Sequence, residues 1–146
     1  IFVGYRWADM QKKVKPLFAF GHGLSYTTFE YGKAIADKKE MGMDDVLTVT
    51  VPITNTGNRE GAELVQLYIS DLKSSLPRPV KELKGFQKVK LAPGETKNLA
   101  FTITKDALSY YDDTKQVWVA EPGQFEVIIA ASAIDIQSKV VFNLKQ

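Results

Sequence analysis

Cysteine is absent from the 146 residues, which excludes disulfides, zinc–thiolate centres and cysteine nucleophiles. Histidine occurs once, at His22, so any catalytic triad has a single candidate base and a histidine-rich metal site has no material. No run approaches the ~20 apolar residues of a membrane-spanning helix, and no signal-peptide pattern is present. Charge of one sign does not dominate either: 19 Lys and Arg stand against 17 Asp and Glu, a net +2. The lysines are spread along the chain, whereas a nucleic-acid footprint needs a clustered basic stripe. Neither nucleic acid nor a membrane is therefore expected as a partner. Long amphipathic helices, internal repeats and low-complexity stretches are also missing.

What is present is period-two alternation, the mark of half-buried strands. Leu47, Val49, Val51 and Ile53 alternate with Thr48, Thr50 and Pro52, and Val65, Leu67 and Ile69 with Gln66, Tyr68 and Ser70. Leu99, Phe101 and Ile103 form a third row, Phe125, Val127, Ile129 and Ala131 a fourth, and Val140, Phe142 and Leu144 a last. Val117–Val119 and Leu83–Leu91 supply two shorter strands. Gly85-Phe86 shifts the alternation in the second of these and predicts a bulge. Pro52 has no N–H for a ladder, so its nitrogen is expected at an open edge or a bulge. Ala92-Pro93-Gly94-Glu95 and Glu121-Pro122-Gly123-Gln124 share the Pro-Gly order of a type II turn, Asn55–Asn58 reads as a turn, and Lys105–Tyr111 as one helical turn. Lys73–Lys81, with two prolines and two serines, reads as a mobile loop. About seven short strands with regular turns predict an all-β fold, an antiparallel β-sandwich.

The first 30 residues differ. Ile1–Trp7 reads as a strand and Asp9–Lys15 as a polar loop. The chain opens on Ile1-Phe2-Val3, inside that strand, and is expected to be a fragment. Pro16–Phe29, PLFAFGHGLSYTTF, is too glycine-rich for a regular element and too apolar for a free linker. The boundaries expected are residues 1–25 as the end of a preceding domain with an extended connector, and 26–146 as the sandwich.

The search for chemistry returns little. Ser25 follows His22 by three residues, but triads are assembled from separated segments, so His22 reads instead as a group hydrogen-bonding backbone at a turn or an interface. Asp44-Asp45 and Asp112-Asp113 are adjacent acidic pairs without the spacing of a calcium loop, and such residues at turns make local backbone bonds. Asp71, Glu82 and Glu121 are carboxylates that nothing in the spacing pairs for glycoside hydrolysis. Gly21-His22-Gly23 lacks the lysine and helix start of a phosphate loop. Metal ligands, cofactor-binding residues and catalytic residues are all expected to be none. Tyr68, Tyr110, Tyr111 and Trp118 leave two readings open: a stacking platform for sugars, or core packing in which a tryptophan sits at the sandwich centre and a tyrosine forms a corner.

Several motifs, in order, resemble the C-terminal fibronectin type III-like domain of family-3 glycoside hydrolases, the β-glucosidase and β-xylosidase family. They are GYRWAD at Gly4–Asp9, PLFAFGHGLSYTTFEY from Pro16, TNTGNREGAELVQLYISD, RPVKELKGFQKVKLAPGET, LSYYDD and WVAEPGQFEVIIAASAIDI. Two positions depart from the family pattern: Ala8 stands where an aromatic is common and Ala19 where proline is common. The resemblance implies an immunoglobulin/fibronectin type III-like sandwich behind a (β/α)₈ barrel and an α/β sandwich, so that the preceding domain ending in residues 1–25 is α/β. The family's nucleophilic aspartate and acid/base glutamate lie on those two domains, and neither motif is found here. It further implies an exported parent, periplasmic or extracellular, that is a retaining exo-hydrolase releasing β-linked glucose or xylose. The catalytic domains of the same chain would be the partners. Tyr5, Trp7, Phe18, Phe20, His22, Leu24 and Tyr26 are the expected interdomain packing residues; in isolation Phe18, Phe20, Leu24 and Tyr26 would be exposed or would dimerise the fragment. Arg78, Lys81 and Lys84 are candidates for a substrate-side loop reaching a β-glucoside or oligosaccharide, with a solvated loop as the competing reading.

Overall fold

In the computed structural model, which describes residues 1–11 and 15–146, the alternating rows become two facing sheets. In chain order the elements are helix α1 (Tyr5–Met10), strands β1 (Phe29–Tyr31), β2 (Ile35–Ala36), β3 (Glu40–Met41), β4 (Leu47–Asn55), β5 (Gly61–Asp71), β6 (Glu82–Leu91) and β7 (Thr96–Ile103), helix α2 (Lys105–Leu108), then β8 (Tyr110–Asp112), β9 (Val117–Val119), β10 (Gly123–Ala130) and β11 (Ile136–Leu144). One sheet has β4 at its centre, with β7 on one side and β1 and β2 on the other; the second runs β3-β11-β10-β5-β6; β8 and β9 form a separate hairpin. All pairings are antiparallel except β3 with β11. The expected sandwich is formed. The strands beyond the expected seven are mostly two- or three-residue pieces, β1, β2, β3 and β8.

The core follows from the period of two. Leu47, Val49, Val51 and Ile53 point inward from β4 and are fully buried, facing Val65, Leu67 and Ile69 of β5 and Phe125, Val127 and Ile129 of β10. Phe125 and Phe142 are register partners whose rings stack at 5.8 Å. The expected bulge lies at Lys84: Leu67 pairs with Gly85 but Tyr68 with Leu83. Pro52 resolves differently from expectation, because β4 is neither an edge nor bulged. The Pro52 carbonyl accepts the Gly32 N–H at 2.9 Å, and a strand residue's N and C=O point to the same side. The proline nitrogen therefore faces the break where β1 gives way to β2.

Three local expectations need correction. Ile1–Trp7 is not a strand: Gly4, at φ 60°, turns the chain into α1. Asp9–Lys15 is not simply a loop, since α1 runs to Met10; Lys12–Val14 lie outside the described residues. The two Pro-Gly turns are not equivalent. Gly94 has φ 73° and Glu95 N–H closes on the Ala92 carbonyl at 3.0 Å, whereas Gly123 is not in the left-handed region and opens β10 opposite Leu144.

Candidate functional site: the seam between the connector and the sandwich

A patch on the outer face of the second sheet is covered, while Leu64, Phe86 and Val141 on the same face stay exposed. In β5 the inward row is Val65, Leu67, Ile69, yet Gln66 and Tyr68 on the opposite face are also buried, as are Ile128 and Ala130 of β10. Tyr5 packs against this patch and Gly21 lies against Gln66. The Tyr5 ring stacks on Phe20 at 5.1 Å and meets Tyr68 edge-on at 5.7 Å. The Ala133 N–H donates to the Phe20 carbonyl at 2.8 Å. Beneath them the Tyr68 hydroxyl donates to Gln66 Oε1 at 2.5 Å, and Gln66 Nε2 donates to the Ala131 carbonyl at 3.3 Å. Gly21, at φ 79°, lies so close to Gln66 that a Cβ there would collide with the amide, which is why this turn needs glycine. Burial, with Tyr5 and Asp9 nearby, pushes the Tyr68 hydroxyl well above the usual tyrosine range, so it stays a neutral donor.

Helix α1 is pinned residue by residue to the start of β6. The Leu83 N–H donates to the Tyr5 hydroxyl at 2.8 Å. Arg6 Nη2 lies 3.2 Å from Glu82 Oε2, and Lys81 Nζ lies 2.5 Å from Asp9 Oδ2. GYRWAD thus meets KEL, two of the motifs that carried the resemblance. Lys81 also sits 5.6 Å from the Tyr68 ring centroid, a cation–π distance.

Arg78 is the hub of the adjoining segment. Its guanidinium donates to Asp71 Oδ2 at 3.1 Å, to Glu82 Oε1 at 2.9 Å and to the Leu108 carbonyl at 2.9 Å, and it lies 5.3 Å from the Tyr110 ring centroid. Its side chain is only 6% exposed. Lys84 Nζ adds a contact to Glu82 Oε2 at 3.5 Å. Burial works to raise the Glu82 carboxyl, but the Arg78 hydrogen bond, with Lys84 and Arg6, brings it below the usual carboxylate range. Burial lowers Lys84, opposed by Glu82. The Ser75 N–H and Oγ both donate to Glu121. The expected mobile loop 73–81 is therefore corrected: its prolines keep it out of a strand, but Arg78, Lys81 and Ser75 tie it to β5, β6, α1 and Glu121. Sequence spacing missed the pairing of Asp71 with Glu82, because it runs through a shared arginine. A general acid for glycoside hydrolysis needs a raised pKa, and Glu82 is held the other way.

The remaining predicted residues separate by exposure. Tyr5 is spent on its own sandwich. Phe18, Phe20, Leu24 and Tyr26 are 68%, 50%, 95% and 93% exposed, and Trp7 is 46% exposed. Trp7, Ala8, Pro16, Phe18, Ala19 and Ile134 are among the residues lining an open groove of about 690 Å³. His22 donates its backbone N–H to the Ala19 carbonyl at 3.0 Å; its imidazole lies beside the Phe18 ring at 5.3 Å and makes no side-chain hydrogen bond among those of the described residues. Ser25 Oγ accepts the Thr27 N–H at 3.4 Å and is not paired with His22. Asp112 Oδ1 accepts the Thr114 and Lys115 N–H groups at 3.1 Å, a local turn, and no metal-competent cluster occurs among the described residues. Tyr68 and Tyr110 are buried, whereas Tyr111 and Trp118 are exposed, their rings edge-to-face at 5.7 Å. The tryptophan expected at the sandwich centre is thus at the surface, because its strand β9 belongs to the hairpin and not to either main sheet.

The class is a two-sheet sandwich with its N-terminal segment packed on a patch of one outer face, and the comparisons agree. Residues 63–133 match the family described as the fibronectin type III-like domain. Across all 146 residues the chain is 52% identical to a segment of β-glucosidase BoGH3A from Bacteroides ovatus, covering 19% of that protein. It is 49% identical over 139 residues to thermostable β-glucosidase B from Acetivibrio thermocellus, covering 18% of it. The crystal structure of a β-glucosidase from Kluyveromyces marxianus superposes on the whole chain with a TM-score of 0.91 at 42% identity, over 17% of its own length. The chain spans about one-fifth of the length of the relatives it matches.

Proposed function

We propose that this chain is the accessory, non-catalytic fibronectin type III-like part of a longer, exported β-glycosidase of the β-glucosidase type, and that it acts by packing on the catalytic domains of the same polypeptide. The observation that carries the reading is the row of exposed apolar side chains on the connector. Phe18, Phe20, Leu24 and Tyr26 are all exposed within nine residues of chain, and exposed apolar surface of this kind marks a contact surface. Relatives about five times as long supply the partner: the remainder of the same chain. Burying such side chains contributes at roughly 25 cal/mol per Å² of apolar area.

The parent would be a retaining exo-hydrolase that releases a β-linked glucose or xylose unit, with its carboxylates on the upstream domains; this part, and export, rest on the resemblance. Arg78, Lys81 and Lys84 are engaged within the chain, which favours a supporting role for them over substrate contact. The test is removal of residues 33–146 from the longer enzyme. The reading expects lower soluble yield and a lower melting temperature; unchanged values for both contradict it.

A further inference from the structure

Helix α1 cannot hold itself. At six residues, with no buried residue and no side-chain cap at Gly4, it is far shorter than the ~12–15 residues at which an isolated helix becomes even marginally stable. Its neighbours on the sandwich supply what it lacks. Leu83, Glu82 and Lys81 meet Tyr5, Arg6 and Asp9 in turn. The last pair is nearly desolvated, with side chains 6% and 11% exposed, and a buried pair is costly to break by removing one partner. While these residues face the sandwich, Trp7 and Met10 stay exposed, and Trp7 and Ala8 line the groove that Pro16, Phe18 and Ile134 also border.

We infer that the Asp9–Lys81 pair is a latch that seats α1 on the sandwich and so builds one wall of the apolar docking surface. Without it α1 detaches, Trp7 leaves the groove, and the connector's apolar side chains lose the frame that orders them. The rigid body that docks then begins at Gly4, well upstream of the residues matched to the domain family. The occupant of the surface, the remainder of the same polypeptide, rests on the function proposed above; the latch is a property of this chain and is tested on it.

The experiment is amide hydrogen exchange on the 146-residue chain, following Ala8, whose N–H bonds to the Gly4 carbonyl, and Leu83, whose N–H bonds to the Tyr5 hydroxyl. Lys81→Met and Asp9→Asn are each expected to speed exchange at both amides by about tenfold or more, with amides of β4 and β10 unchanged, as for a local opening. The double variant is expected to exchange no faster than the faster single one, because both remove the same pair. Unchanged Ala8 and Leu83 exchange in the single variants overturns the latch. So do additive effects in the double variant, or an equal rise in β4 and β10.

Discussion

Asn55 Oδ1 accepts the Thr27 hydroxyl at 2.7 Å, joining the end of the connector to the end of β4. The same oxygen accepts the Gly57 N–H at 3.1 Å, while Nδ2 donates to the Arg59 carbonyl at 2.7 Å and the Leu91 carbonyl at 3.0 Å. A fully buried amide thus has all its hydrogen-bonding capacity used, and it ties together the connector, the crossing between the two sheets and the end of β6.

Replacing Asn55 by alanine strands several polar groups at once. An unpaired buried donor or acceptor costs about 1–3 kcal/mol, so Asn55→Ala is expected to lose about 2–4 kcal/mol, read from urea midpoints. A loss below about 0.5 kcal/mol, the range of surface changes, refutes the role.

Gly32 and Pro52 form a matched pair. A Cβ on Gly32 would collide with the proline ring, and overpacking of this kind costs about 1–3 kcal/mol. Gly32→Ala is therefore expected to destabilise the chain by that amount, and much less in a Pro52→Ala background. Equal penalties in both backgrounds show that the ring is not the obstacle.

The Glu82 cluster gives a pH dependence with a defined sign. Glu82 has a folded-state pKa below its ordinary value, so its contribution is fully present above the usual carboxylate range and is lost as pH falls through the folded value. Glu82→Gln is expected to be destabilising at pH 7, with the gap from the unsubstituted chain narrowing over the acidic window as pH falls below the usual carboxylate range. A gap that stays constant over that window contradicts the ionised role. Urea unfolding at several pH values measures it.

Trp118, 71% exposed, contributes little to the core. Trp118→Ala is expected to change stability by no more than about 0.5 kcal/mol. On the accessory reading, tryptophan fluorescence of the chain stays flat when soluble glucans are titrated in. A saturable change that Trp118→Ala abolishes assigns the Tyr111–Trp118 pair to a sugar instead.

These residues also show what the sequence could reveal. Leu47–Ile53 and Phe125–Ile129 were legible as strands because one buried face imposes a period of two. Gln66 and Tyr68 are not legible as buried, since Gly21 and Tyr5, which lie against them, are more than forty positions away in the chain. The Tyr5 contact explains the misreading of Ile1–Trp7. Val3, Tyr5 and Trp7 alternate like a strand over too few residues to decide, and Gly4 with the pairings to Leu83, Glu82 and Lys81 settles it as helix. Arg78 lies between two prolines, which signal a loop, but its carboxylate partners sit on β5 and β6, where nothing local announces them. Within the candidate site, the connector aromatics were visible as a cluster, while the division between Tyr5, packed inward, and Phe18, Leu24 and Tyr26, left outward, depends on how the chain folds back.

That division makes the docking proposal directly measurable. Phe18, Leu24 and Tyr26, all exposed, are replaced together by serine in the isolated chain and in the longer enzyme, and both melting temperatures are recorded. The isolated chain is expected to melt within about 2 °C of its unsubstituted form, as for exposed sites, while the longer enzyme melts several degrees lower. If the longer enzyme melts unchanged, these side chains dock on nothing, and the proposed role of the domain fails.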